Sequence, residues 1–131
     1  MRMMAAIFPY AATTGTVTVR VAPRYLPDQS DDGRGYHVWA YQVRIENAGD
    51  AAVQLLARHW VITDAEGRTE DVAGDGVVGV QPVIGPGLAY DYVSGCPLRT
   101  ASGSMVGRYT MVRHGVRFGV AIPEFALVRP Q

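Results

Sequence analysis

Gly74-Asp75-Gly76-Val77-Val78-Gly79 has the G-x-G-x-x-G spacing with which backbone N–H groups close around a pyrophosphate. In that use the glycines end a strand and open a helix, whose N-terminal N–H groups and dipole hold the phosphates. Here the chain continues Val80-Gln81-Pro82-Val83-Ile84-Gly85-Pro86-Gly87. Pro82 lacks a backbone donor and would clash with the preceding turn, at roughly 3 kcal/mol or more inside a helix. The glycines therefore stand without the helix that gives the pattern its usual meaning. Two uses remain. A nest of successive N–H groups binds phosphate without a helix and would draw on Gly74, Asp75, Gly76 and Gly79. Alternatively, the glycines admit positive φ angles and close strand approach in a bulged connection. No basic residue lies between Asp71 and Tyr90 to meet a phosphate's charge, and Asp75 adds a negative one, so the backbone use is favoured, with Arg58, Arg68, Arg99 or Arg108 able to approach only through the fold.

Other chemistry is sparser. Asp64, Glu66, Glu70, Asp71 and Asp75 offer oxygen atoms that suit Mg2+. They lack the dense alternation of a cation loop, and His37, His59 and His114 have no paired ligand spacing, so solvated turn carboxylates are expected and no metal site is assigned. Ser94, Ser102 and Ser104 lie in turn-like sequence without a nucleophile elbow, and Cys96 precedes Pro97. No catalytic residues and no cofactor are assigned.

Composition bounds the rest. The 131 residues suit one domain with a real core. The formal net charge of zero argues against a nucleic-acid footprint or an electrostatic membrane anchor. All 12 basic residues are arginine, which reads as genomic composition bias. One cysteine cannot form an internal disulfide, and no apolar run approaches the ~20 residues of a membrane span. Met1 to Ala12 makes a poor signal peptide because Pro9 interrupts a short apolar run. A cytoplasmic protein is the expectation.

The elements that position these residues are strands. Val17, Val19 and Val21 alternate with polar neighbours, as do Trp39, Tyr41, Val43 and Ile45 between Tyr36 and Glu46. Asn47-Ala48-Gly49-Asp50 and Asp64-Ala65-Glu66-Gly67 supply turns around a long run from Ala52 to Thr63, and Arg68 to Val72 follows. Leu88, Tyr90 and Tyr92 alternate until Ser94-Gly95, which is expected to break the run. Met105, Tyr109 and Met111 share a face, His114-Gly115 turns the chain, and Val116 to Ile122 and Phe125 to Val128 complete it. About seven or eight antiparallel strands in a sandwich result, with Trp39 and Trp60 as core anchors. Tyr90, Tyr92 and Tyr109 are in part core, and Tyr109 fits a buried tyrosine corner. Residues 1–14 are expected to form a flexible extension and residues 15–131 the sandwich. Residues 22–35 read as an exposed irregular loop, and residues 24–36, with Tyr25, Leu26 and Pro27 foremost, are able to contact an unidentified protein partner, as is the segment from Gly74 to Gly87. An exposed edge strand would also allow a homodimer.

Several stretches together carry a resemblance. Val53-Gln54-Leu55-Leu56-Ala57-Arg58-His59-Trp60-Val61-Ile62-Thr63-Asp64, the Gly74–Pro82 segment, Pro86-Gly87, Tyr92, Ser94-Gly95 and Gly103-Ser104-Met105-Val106-Gly107-Arg108-Tyr109-Thr110-Met111 resemble the ApaG family, over nearly everything from Thr16 to Val128. The resemblance implies a fibronectin type III-like β-sandwich in a single-domain bacterial protein. It also implies relatives in which the domain is an interaction module fused to F-box and polymerase-interacting proteins. The family is linked by name and gene neighbourhood to diadenosine tetraphosphate hydrolysis, and by phenotype to cobalt resistance and magnesium efflux, and no enzymatic activity comes with it.

Overall fold

The structure, a computed structural model, describes residue 4 and residues 7–130. Two antiparallel sheets face each other, as the alternating apolar pattern requires. The first has strand order β1-β2-β3-β7, from β1 (Tyr10–Thr14), β2 (Val17–Tyr25), β3 (His37–Asn47) and β7 (Ala89–Leu98). The second has order β5-β4-β8-β9, from β5 (Thr69–Asp75), β4 (Val53–Asp64), β8 (Ser102–Arg113) and β9 (Val116–Val128), and the two-residue β6 (Val83–Ile84) pairs with the start of β4.

Three boundaries differ from the sequence reading. Residues 10–14, assigned to the N-terminal extension, form β1 and pair with β2 from Tyr10 opposite Val21 to Thr14 opposite Val17. The Thr14 hydroxyl accepts the Ala121 N–H at 3.0 Å, so this strand also closes one side of the sandwich against β9. Strand β2 runs through Ala22 to Tyr25, and only the remainder of the expected loop lies outside it, with two short 3-10 turns at Pro27–Gln29 and Asp32–Arg34. Ser94-Gly95 does not end β7, whose pairing with β3 continues to Leu98 opposite His37. A glycine in a strand is tolerated where a neighbouring strand holds the ladder on one side.

The core lies between the sheets. Trp39 is 1% and Trp60 2% exposed. The Trp39 indole N–H donates to the Val128 carbonyl at 3.1 Å, tying β3 to β9. Met105, Tyr109 and Met111 are buried together, as their shared face requires. Two irregularities shift the pattern. In β4 the register slips between Leu55 and Ala57, so that Val53 and Leu55 point inward before the slip and Trp60 after it. In β9 the extra residue falls at Pro123-Glu124, between Ile122 and Phe125, where an edge strand tolerates a missing donor.

Opposite the β1–β9 side, β7 and the β5–β6 edge are both unpaired within the sandwich. The crossover from β5 to β7 passes over this open side. Asn47, 1% exposed, anchors it. Its amide donates to the Ile84 carbonyl at 3.0 Å and its backbone carbonyl accepts the Gly87 N–H at 2.8 Å.

Candidate functional site

The glycine motif sits on the open side as the end of β5 and a tight hairpin. Val77 and Val80 exchange backbone hydrogen bonds of 2.8 and 3.1 Å, and the two residues between them, Val78 and Gly79, have φ of +47° and +81°. Both signs are those of a type I′ turn. The Gly76 N–H donates to the Leu56 carbonyl at 2.8 Å. Within the motif the Gly76 and Val77 N–H groups thus have backbone partners, as does that of Val80 just beyond it. The loop presents carbonyls instead: Arg58 Nη1 donates to the Asp75 and Gly76 oxygens, both at 2.9 Å. A loop that holds a cation by its carbonyls has the reverse polarity of a phosphate nest.

Each early glycine has a steric reason. A Cβ on Gly74 would lie 3.1–3.3 Å from the Arg58 guanidinium, so its absence makes room for that group. At Gly76, with φ +63°, a Cβ would run into the Val80 carbonyl. Asp75 is exposed and lies at the end of β5. The register slip in β4 turns Arg58 toward the sandwich interior, beside Trp60. With Tyr41, Trp60, Val77, Tyr92 and Ser94 it lines a cavity of about 190 Å3 beneath the hairpin.

Two tyrosines, Tyr41 and Tyr92, line this cavity. Tyr92 and Tyr109 share a short hydroxyl–hydroxyl hydrogen bond across the two sheets. The Tyr109 hydroxyl therefore pairs with another side chain rather than forming a tyrosine corner with its own strand's approach. Burial raises the pKa of Tyr41, Tyr92 and Tyr109, and the Arg58 charge acts in the opposite sense. The phenols stay protonated at neutral pH and keep their O–H donors.

The second sequence candidate is less of a free loop than expected. Tyr25 and Leu26 are half-buried and Pro27 is exposed. The Tyr25 ring packs edge-on against Trp39, with centroids 5.2 Å apart, and its hydroxyl lies 3.0 Å from His37 Nδ1. His37 Nε2 in turn faces Asp32 at 3.5 Å, and Arg129 pairs with Asp32. This segment is strapped to the body by its own side chains.

The remaining candidates are placed apart. Asp64 accepts the Glu66 and Arg68 N–H groups and the Arg68 guanidinium, and these bonds, the guanidinium's first, hold its carboxyl below the usual range. His59 meets Asp71 at 3.2 Å on the outer face of the second sheet. Among the described residues no group of three or more His, Cys, Asp or Glu is placed to hold a metal ion. Cys96 is buried, and its thiol is pushed up to about 11, chiefly by desolvation and then by Glu70. It is a packed thiol, with little thiolate at neutral pH. No helix among the described residues is long and apolar enough to cross a membrane.

Residues 27–113 match the profile of the ApaG domain. The chain is 57% identical over 122 residues to Protein ApaG of Paramagnetospirillum magneticum, covering 92% of this chain and 94% of that one. The chain belongs to the ApaG family. Protein ApaG of Mesorhizobium japonicum is 52% identical over the same shares. The crystal structure of a Bordetella pertussis protein described as ApaA superposes on this ApaG domain with a TM-score of 0.86 at 47% identity, covering 95% of this chain and 98% of that one. The ApaG fold is thus a two-sheet, all-β, fibronectin-like sandwich, and its glycine motif is a hairpin on the open side.

Proposed function

We propose that this ApaG domain is a non-enzymatic protein-interaction module whose contact surface is the β5–β7 crossover on the open side. The observation that carries the reading is Val78. A β-branched residue at positive φ is a strained conformer, costing of order 1–3 kcal/mol, at a turn position that Asn or Gly would fill without strain. Its side chain is left 63% exposed, so packing returns little for that strain. Val80, Val83, Leu88 and Val93 on the same stretch of chain are also exposed large aliphatics. Exposed aliphatics concentrated on one anchored segment mark an interaction site, and the Asn47 and Val77 anchors reduce the entropy lost on docking. The partner is another protein chain, a second copy included. The role in divalent cation homeostasis that family resemblance implies would run through that partner.

A photo-crosslinking residue at Val83 in cells of the source bacterium should give a discrete adduct, and the same residue at Val116, which is 67% exposed on β9, should not. Val78→Asn should keep or raise the melting temperature while cutting the adduct's yield several-fold. Equal adducts from positions 83 and 116, or a yield unchanged by V78N, would remove this surface from the account.

A further inference from the structure

We infer that the cavity beneath the glycine hairpin is a binding site for a small monocarboxylate, held by the Arg58 guanidinium. The first support is an uncompensated charge. Arg58 is half-buried, and no carboxylate pairs with it among the described residues. Its Nη1 is fixed by the Asp75 and Gly76 carbonyls, while Nε and Nη2 make no hydrogen bond to the described residues. The Nε–Nη2 edge is one that grips a carboxylate through two parallel bonds. A guanidinium taken partly out of water is costly unless an anion completes it.

The surroundings select the class of anion. The cavity adds the Ser94 side chain and the Tyr41 phenol, which burial keeps protonated, to the faces of Trp60 and Val77, while the Tyr92 hydroxyl on its wall is taken up by Tyr109. One cation with neutral donors suits a monoanion, whereas phosphate sites collect more positive charge. At about 190 Å3 the cavity is smaller than the ~300–1,000 Å3 of drug-sized sites and above the ~150 Å3 that encloses benzene. A nucleotide does not fit, but a short-chain or aromatic acid does. The hairpin that forms the roof is fastened by the same Arg58 bonds, so the glycine motif both positions the ligand-binding group and, through Val77, Val78 and Gly79, walls the cavity.

The test titrates the full chain with butyrate and benzoate at constant ionic strength, against inorganic phosphate and chloride, following the Arg58 Nε–H and Trp60 indole N–H signals by NMR. Saturable shifts at both signals with a carboxylate, and none with phosphate, are expected. Arg58→Gln should weaken binding at least tenfold and Ser94→Ala a few-fold, with the Trp39 indole signal unmoved. Should R58Q fail to fold, S94A and the wild-type shifts still decide the matter. Shifts no larger than those from chloride, equal saturation by phosphate, or affinity unchanged in S94A and in a folded R58Q would overturn the assignment. None of these outcomes bears on crosslinking from position 83.

Discussion

Gly76→Ala should destabilise the protein by about 2–5 kcal/mol, while Gly79→Ala costs only about 1–2 kcal/mol, measured by urea unfolding with the slope held constant. The two positions share a positive φ, so each loses the conformational term of about 1–2 kcal/mol when a Cβ is added. They differ in space. The Gly76 Cβ would strike the Val80 carbonyl, part of the bond pair that closes the turn, whereas the Gly79 Cβ would meet nothing within 4 Å. Relief at Gly76 requires the backbone to move, and that movement also displaces the two carbonyls that hold Arg58. Gly74→Ala should fall at the mild end, because the group it meets is the far end of a side chain, at 3.1 Å. Three glycines that served one phosphate would have no reason to rank in this order by stability.

Trp60→Ala should cost about 3–5 kcal/mol, a large share of the ~5–15 kcal/mol that stabilises a typical domain. Trp60 is 2% exposed and joins the two sheets through ring contacts. Its centroid lies 5.4 Å from that of Tyr41 in the first sheet and 5.8 Å from that of Phe125 in β9, both edge-on. Each such pair is worth about 0.5–1.5 kcal/mol beyond buried area, so the truncation loses both pairs and leaves a cavity. Trp60→Phe should recover most of the loss, and calorimetric melting of the two variants checks the ranking. If the alanine variant lost less than ~1 kcal/mol, this interior would not be packed as described.

Much of this was legible in the residues, because alternation is a direct consequence of a strand having one face in a core. Val17, Val19 and Val21, the Trp39–Ile45 series and the Met105–Met111 face are all buried where the period of two places them. Of the four arginines that could approach the loop through the fold, Arg58 is the one that donates to its carbonyls, for an equally physical reason. Val53 and Leu55 set one phase and Trp60 the other, and a strand changes phase only through a bulge. That break of phase is visible in the sequence, and it puts Arg58 on the inward side. Pro123 conceals the same event in β9, between Val120 and Ile122 on one phase and Phe125 and Leu127 on the other. What local pattern does not encode is the pairing of distant segments: β1 beside β9, the Asn47 anchor under the crossover, and Tyr92 against Tyr109 across the sheets. Those depend on long-range closure. The glycine motif was read correctly as lacking its helix, but only the fold reveals that it faces a guanidinium with carbonyls.

The G-x-G-x-x-G segment ends in a closed hairpin whose Gly76 and Val77 amides, with that of Val80, are already engaged, and native-state amide hydrogen exchange measures this directly. The Gly76, Val77 and Val80 amides, bonded to the Leu56, Val80 and Val77 carbonyls, should exchange far more slowly than an open loop in ligand-free protein. Exchange of all three at open-chain rates, in a protein whose Val43 and Tyr109 amides stay protected, would contradict the account and return these N–H groups to solvent for an anion to find.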